Sequence, residues 1–466
     1  MSEKKTKKSL SSFTILLIIL IALAAVSWVI PGVTSATLPD IAMAPVLGFN
    51  DAIDVCVFVL VLGGFLGVIA KTGALDTGIA VLVKKLKGNE LVLIPILMFI
   101  FSVGGTTYGM LEETVPFYLL LAATMVAAGF DTMVGVGTVL LGAGSGVLGS
   151  TVNPFAVGAA VDALGGVGVT VNNGTIIMLG AVLWLTTYAI SVFFVMSYAK
   201  KVKADKGSTI LSLQEQEDMR VNFVEGKQSS DDVALSGAQK TVLILFAFTF
   251  AVMIIGFIPW GSFGVDVFGW SAIFTYYPLG EWYFQEASCW FFIMAVVIGL
   301  LGKLSESELV NTFIAGSADM MSVVLVIALA RGASVLMSVT GLDMWILENA
   351  ANALAGMSAG VFAPLAYLLY IPLSFLIPSS SGLATLSMPI MGPLAAELGF
   401  SVEVMVMIFV AGNGLVNLFT PTCGAIMGGL AIAKVEYSTW IKFCTKVVVT
   451  IAVVNIVILT AAMLML

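Results

Sequence analysis

The sequence predicts an all-α polytopic membrane protein made of two inverted repeats, each carrying a re-entrant helical hairpin and a broken transmembrane helix. Three observations predict this. First, 59% of the 466 residues are hydrophobic and only 10% charged, with a mean hydropathy of +1.08. A soluble domain carries about 25% charged residues, so a water-soluble globule is excluded. Second, long apolar runs follow one another along almost the whole chain. Third, the two halves repeat one another.

The same composition excludes several chemistries. There is no His, hence no Ser-His or Cys-His catalysis and no imidazole metal ligand. Cys56, Cys289, Cys423 and Cys444 lie in apolar segments without CxxC spacing, so neither a disulfide framework nor a zinc site is expected. No Walker-type loop occurs. A net charge of −8 argues against nucleic-acid binding. No cofactor is expected; the expected partners are a small-molecule substrate and the lipid bilayer.

In chain order, a basic tail with Lys4, Lys5, Lys7 and Lys8 precedes an apolar run over 13–30. That run is long for a signal-peptide core and is read as the first spanning helix, basic end in the cytoplasm. Runs over 55–70, 175–198, 241–258, 287–301, 320–339 and 447–466 each suit a crossing of about 30 Å of hydrocarbon. Two longer runs, 132–163 and 402–433, are interrupted by Gly, Asn and Pro and read as broken helices. Segments 89–129 and 359–398 are apolar on both sides of a polar centre and read as re-entrant hairpins. The chain then crosses nine times, N-terminus inside and C-terminus outside.

The distribution of basic residues agrees. Lys71, Lys84, Lys85, Lys87, Lys200, Lys201, Lys203, Lys206, Arg220, Lys227, Lys240, Lys303, Lys434, Lys442 and Lys446 all fall inside, as the positive-inside rule requires. Only Arg331 is left over, in mid-membrane. A second full crossing within 89–129 would move the loop over 200–240, with seven basic residues, to the wrong face.

That loop, 201–240, is read as a cytoplasmic linker between an N-terminal repeat over 1–200 and a C-terminal repeat over 241–466. Gly48, Asp51, Gly64, Thr72 and Gly73 recur at one constant offset as Gly316, Asp319, Gly332, Thr340 and Gly341. Pro116 matches Pro389, and the GAG at 142–144 matches the GNG at 412–414. An odd number of crossings separates the matched segments, so the repeats are inverted. Inverted repeats with broken helices mark secondary transporters, with substrate and ion sites at the midplane.

Four polar breaks stand at corresponding places: SVGGTTYGMLEETVP and IPSSSGLATLSMP in the hairpins, GAGSGVLGSTVNP and GNGLVNLFTPT in the broken helices. Unwound backbone at membrane depth must be satisfied without lipid, and such openings aim carbonyls at cations and helix starts at anions. Thr106, Thr107, Asn153, Ser379, Ser380, Ser381, Asn417, Thr420 and Thr422 are therefore candidate substrate ligands. Ser150, Thr151, Asn153 and Thr420 form a candidate cation site.

Arg331 lies about eleven residues into a twenty-residue apolar run, too deep to snorkel. A lone Arg there needs a partner: a bidentate substrate carboxylate or a structural acid. Glu112 and Glu113 follow the first hairpin tip. Neighbours on a helix point about 100° apart, so one of them is expected to face the cavity and bind a substrate cation or carry a proton. Asp51, Asp54, Asp162 and Asp319 read as ordinary interfacial acids. Trp260, Trp270, Tyr276, Tyr277, Trp282 and Tyr283 read as an aromatic belt.

GTTYGMLEETVPFY (105–118), LGSTVNPFAVG (148–158), ALARGASV (328–335) and PSSSGLA (378–384) resemble the DcuC-type anaerobic C4-dicarboxylate carrier family, in its YfcC-like branch. That branch is described as basic amino-acid antiporters and sometimes as dicarboxylate carriers. More remotely the chain is similar to the ion-transporter superfamily. The resemblance implies a dimerising scaffold, an elevator motion and substrate held between hairpin tips at 104–109 and 378–384. The tips and breaks depart from the superfamily's Ser-Asn-Thr pattern, so the coupling ion, Na⁺ or H⁺, stays open.

Charge favours one substrate class. With Arg331 and one exposed Glu the empty site is neutral; with both Glu ionised it is −1. A basic amino acid offers a carboxylate to Arg331 and a distal cation to Glu112 or Glu113. A dicarboxylate would leave uncompensated negative charge in low dielectric. The expected function is secondary transport of a basic amino acid across the bacterial inner membrane, by antiport or cation coupling. The alternative is a Na⁺- or H⁺-coupled C4-dicarboxylate carrier. The lack of His and of a nucleophile-base pair disfavours an intramembrane enzyme, and a midplane charged site disfavours a channel.

Overall fold

A computed structural model describes residues 12–85, 89–224, 234–258, 260–265 and 267–466. Lys4, Lys5, Lys7, Lys8, Lys87 and Lys227 lie outside the described residues. Helices dominate the rest. In order they are α1 (Ser12–Val29), α2 (Leu38–Asp51), α3 (Ile53–Lys71), α4 (Ala74–Lys85) and α5 (Glu90–Tyr108). A single turn at Glu112–Thr114 leads into α6 (Val115–Ala127), followed by α7 (Thr132–Leu148). A wide turn at Pro154–Gly158 then opens α8 (Ala159–Gly166), and α9 (Asn173–Ala204) follows. The connecting segment holds α10 (Leu213–Phe223). The second half comprises α11 (Gly237–Phe257), α12 (Phe284–Leu301), α13 (Glu306–Asp319), α14 (Met321–Thr340) and α15 (Leu342–Leu354). It ends with α16 (Ala359–Leu376), α17 (Ser380–Glu397), α18 (Val402–Val416), α19 (Gly424–Ile432) and α20 (Tyr437–Met465).

Eight of these helices are long and apolar enough to cross a bilayer: α3, α5, α9, α11, α12, α14, α16 and α20. The chain is a polytopic membrane protein. Both interrupted runs break where Gly, Asn and Pro stand, after Leu148 and after Val416. Both polar-centred segments turn where expected, after Tyr108 and after Leu376.

The helices pack as two groups. In one, α14 lies along α2 and α1, and α13 and α12 lie along α3. In the other, α5, α6 and α9 pack on α7, while α16, α17 and α20 pack on α18. Every residue of α7 is buried. Its small residues permit backbone approach: a Cβ on Gly146 would lie 2.0 Å from the Ser102 carbonyl, and one on Gly105 2.2 Å from that of Ala143. The groups meet along α14 and α19, where Gly424 and Gly428 accept Ile327 and Val323.

The starts of α2, α3 and α4 at Leu38, Ile53 and Ala74 recur at Glu306, Met321 and Leu342, all three at the offset that relates Gly48 to Gly316. α2 packs on α14 and α3 on α13, so each half contributes one helix to each pairing.

The connecting segment docks on the second group. The Asp131 carboxylate accepts from the hydroxyls of Tyr198 (2.5 Å) and Thr209 (2.6 Å). Glu215, 2% exposed, accepts from the Glu436 N–H and the Thr439 hydroxyl at the start of α20.

The residues read as an aromatic belt divide by exposure. Trp270, Tyr276, Tyr277 and Tyr283 are exposed, but Trp282 is buried. Its indole N–H donates to the Tyr277 carbonyl, and that of Trp260 to Ile255. The Trp260 indole thus fastens the loop to α11, while the Trp282 indole bonds within the loop and the Trp282 backbone N–H donates to Gly256 of α11.

Candidate functional site

The turns after Tyr108 and Leu376, the two helix breaks and α14 converge on one cavity of about 120 Å³. The first turn is forced by Gly109, whose φ of 81° ends α5 in a region that disfavours side chains. A Cβ there would also lie 2.7 Å from Asn153 Oδ1. Asn153 Oδ1 accepts the Phe155 N–H (2.9 Å) and its Nδ2 donates to Ser150 Oγ (2.9 Å). The amide thus closes the first break while lining the cavity.

The second half reaches the same cavity by different side chains. Ser379 caps α17, its hydroxyl accepting the Gly382 N–H (3.2 Å). Ser380 donates to Asn413 Oδ1 (2.6 Å), which also accepts from Asn417 Nδ2 (3.2 Å). Each turn is therefore hydrogen-bonded to its own half's broken helix: Thr106 donates to the Gly149 carbonyl (2.8 Å) in the first half, Ser380 to Asn413 in the second.

Nine predicted substrate ligands line the cavity: Arg331, Glu112, Glu113, Asn153, Ser379, Ser380, Ser381, Asn417 and Thr422. The other three expected ligands lie off the cavity lining and make other hydrogen bonds. Thr106 is buried and bonds Gly149 and Thr151. Thr107 donates to the carbonyl of Val103 in its own helix. Thr420 is buried and shares a hydrogen bond with Thr422. Hydroxyls in helices commonly bond back to the preceding turn, which sequence pattern alone does not distinguish from ligation. The candidate cation ligands divide likewise: Ser150, Thr151 and Asn153 in the first break, Thr420 in the second.

Both glutamates line the cavity, where one was expected. The 100° phase assumed an α-helix, but they stand on the tighter turn preceding α6. Their surroundings differ. Glu113 is 2% exposed, with Oε2 accepting the Leu111 N–H at 3.0 Å. Glu112 is only half-buried.

Arg331 is 28% exposed at its side chain, and Nη1 lies 3.7 Å from Asp51 Oδ2. Asp51 is no mere interfacial acid: it ends α2 beside the one charged residue of α14. Sequence reasoning missed it because an acid at a helix end has a simpler explanation. The pairing depends on the crossing of α2 with α14, where Gly48 approaches Gly332.

The profile of the C4-dicarboxylate anaerobic carrier (DcuC) family matches residues 34–464. The chain belongs to this family. An uncharacterised Haemophilus influenzae protein is 33% identical over 87% of this carrier and 74% of its own length. The Escherichia coli protein named "Putative basic amino acid antiporter YfcC" is 29% identical over 90% and 79%. Among solved structures, the carrier is similar to Alcanivorax borkumensis YdaH, described as a transporter of unusual topology (TM-score 0.47, 15% identity, 97% and 98% covered). It is also similar to Neisseria gonorrhoeae MtrF, described within a class of antimetabolite efflux pumps (0.43, 16%, 99% and 96%). By its family match and its apolar helices the carrier is a multi-pass membrane transporter of the DcuC type.

Proposed function

We propose that this carrier moves a basic amino acid, arginine- or ornithine-like, across the bacterial inner membrane. The observation that carries the reading is one cavity with a guanidinium at one position and two carboxylates at another. An α-carboxylate suits Arg331 as a planar bidentate partner, and a distal cation suits Glu112. Charge supports the choice. With Asp51 included, four ionised groups leave the empty site at −2. A substrate of net charge +1 reduces that, whereas a C4-dicarboxylate doubles it in low dielectric. The second reading, a cation-coupled C4-dicarboxylate carrier, rests on the family's own description.

The transport cycle is read as an elevator. The recurrence of three element starts at one offset supports inverted repeats, each turn acting as a re-entrant hairpin tip. The group built on α7 and α18 is read as the moving unit, and the group holding α2 and α14 as the scaffold and homodimer surface. Glu113, buried beside the more open Glu112, is a candidate carrier of a coupling proton; the hydroxyls of Ser150, Thr151 and Thr420 keep Na⁺ as the other coupling ion. A cytoplasmic N-terminus follows from the distribution of basic residues. Cysteine labelling that finds the 200–240 segment outside would overturn that orientation.

The deciding experiment is uptake by purified protein in liposomes. Labelled arginine and labelled succinate are offered with and without Na⁺, a pH gradient and internal ornithine. Arginine uptake driven by internal ornithine is the expected result; succinate uptake without arginine uptake would replace the first reading with the second.

A further inference from the structure

Arg331 and Asp51 belong to one packed pair of helices, α2 and α14. Gly48 and Gly332 lock that pair: a Cβ on Gly48 would lie 2.2 Å from the Gly332 nitrogen. Their separation therefore persists wherever the pair stays packed. Glu112, Glu113, Ser380 and Asn417 ride on the other group of helices. A ligand held between Arg331 and Glu112 is thus held by both groups, and it loses one partner when they shift.

The Arg331–Asp51 contact is loose. At 3.7 Å it exceeds the roughly 2.7–2.9 Å of a charge-assisted hydrogen bond. Asp51 is half-exposed, at 49% of its side chain, so the protein does not enclose the pair. An incoming carboxylate can bond two guanidinium N–H groups side by side and displace it. A departing carboxylate leaves an arginine at membrane depth, which is costly without a counter-charge. Asp51 stands where that charge is needed. Its mate in the second repeat, Asp319, has no arginine opposite, because the position matching Arg331 is Gly63. The acid marks both helix junctions, and the arginine stands at one alone.

We propose that Asp51 is the release residue of the site: it competes with the substrate carboxylate for Arg331 and takes the guanidinium back when substrate leaves. This rests on the reading that Arg331 binds a carboxylate, and it deepens that reading by assigning the competitor. Asp51 is a positioning residue and need not touch substrate.

The test uses the full-length protein in liposomes. Asp51→Asn should bind the carried substrate several-fold more tightly while exchanging it several-fold more slowly, so that KM and Vmax fall together. Asp54→Asn, whose wild-type carboxylate accepts from Gln285, should change neither. A second readout is independent of the substrate's identity: phenylglyoxal should modify Arg331, followed by peptide mass spectrometry, several-fold faster in Asp51→Asn. Weaker binding in Asp51→Asn, or unchanged phenylglyoxal labelling, would overturn the proposal. So would misfolding of both Asp51→Asn and Asp51→Ser, which would assign a structural pair. If wild type exchanges succinate and not arginine, yet Asp51→Asn tightens succinate, the basic amino-acid reading fails and the release role stands.

Discussion

Gly48 of α2 meets Gly332 of α14 backbone to backbone, and their repeat mates Gly316 and Gly64 meet in the same way. A Cβ on Gly48 would lie 2.2 Å from the Gly332 nitrogen, and one on Gly316 3.2 Å from the Gly64 Cα and 2.3 Å from the Gly63 carbonyl. The two crossings exchange under one offset. One crossing also fixes the site, because Arg331 adjoins Gly332 and Asp51 stands one helical turn beyond Gly48.

Gly48→Ala should therefore fail in two ways. The methyl meets backbone on a neighbouring helix, which cannot rotate aside, so stability should fall by about 1–3 kcal/mol. The displaced helices would also separate Arg331 from Asp51 and the cavity. Gly165→Ala, with nothing within 4 Å of the added Cβ, should be neutral or slightly stabilising. Melting temperatures in detergent measure both, and a Gly48→Ala variant as stable as Gly165→Ala would show that the crossing is not this close.

Asp131 joins the start of α7, the end of α9 and the connecting segment through Val134, Tyr198 and Thr209. Burial pushes its carboxyl pKa up, against the lowering effect of those hydrogen bonds. A raised folded pKa means that the folded state holds the proton more tightly than the unfolded one. This site's contribution is then greatest in acid and is lost as pH rises through the raised value. Asp131→Asn removes that dependence. The stability of wild type relative to Asp131→Asn should fall from acid to neutral pH; a constant difference would rule the linkage out.

The two glutamates should separate in function. Glu112→Gln removes the half-open carboxylate and should raise the KM for a cationic substrate at least tenfold, with the pH profile retained. Glu113→Gln keeps an acceptor for the Leu111 N–H while removing the titratable group. It should preserve substrate exchange yet abolish uptake driven by a pH gradient. Proton-driven uptake surviving in Glu113→Gln would move the coupling site elsewhere and favour Na⁺.

Much of this was legible in the sequence. The breaks after Leu148 and Val416, and the turns after Tyr108 and Leu376, follow from Gly, Pro and Asn placed in apolar runs. Proline removes a backbone donor, and Gly and Asn lower the cost of leaving the helix. The gathering of Arg331, Glu112, Asn153, Ser380 and Asn417 followed from the rule that a membrane charge needs company. What stayed hidden depended on orientation. Thr106 and Thr107 are adjacent hydroxyls, yet one bonds the neighbouring broken helix and the other its own preceding turn. Asp51 was hidden for a different reason: its partner lies in the other half of the chain, brought close by a glycine contact that no local pattern reports.

Arg331 decides between a binding and a structural account of the site. If the guanidinium binds a substrate carboxylate, Arg331→Ala should abolish transport and leave a folded protein, because its contact with Asp51 is loose, at 3.7 Å, and Asp51 is not enclosed by protein. Arg331→Lys should recover little transport, since a point charge does not reproduce the planar fork. If the pair were structural, the order would invert: Ala would destabilise the protein by about 3–5 kcal/mol, and Lys would restore most of it. Ligand-induced stabilisation separates the two accounts without a transport assay. A ligand that binds the folded state raises the melting temperature by mass action. Arginine should do so for wild type, fail to do so for Arg331→Ala, and do so weakly for Glu112→Gln. A full shift in Arg331→Ala would place the carboxylate site on other residues.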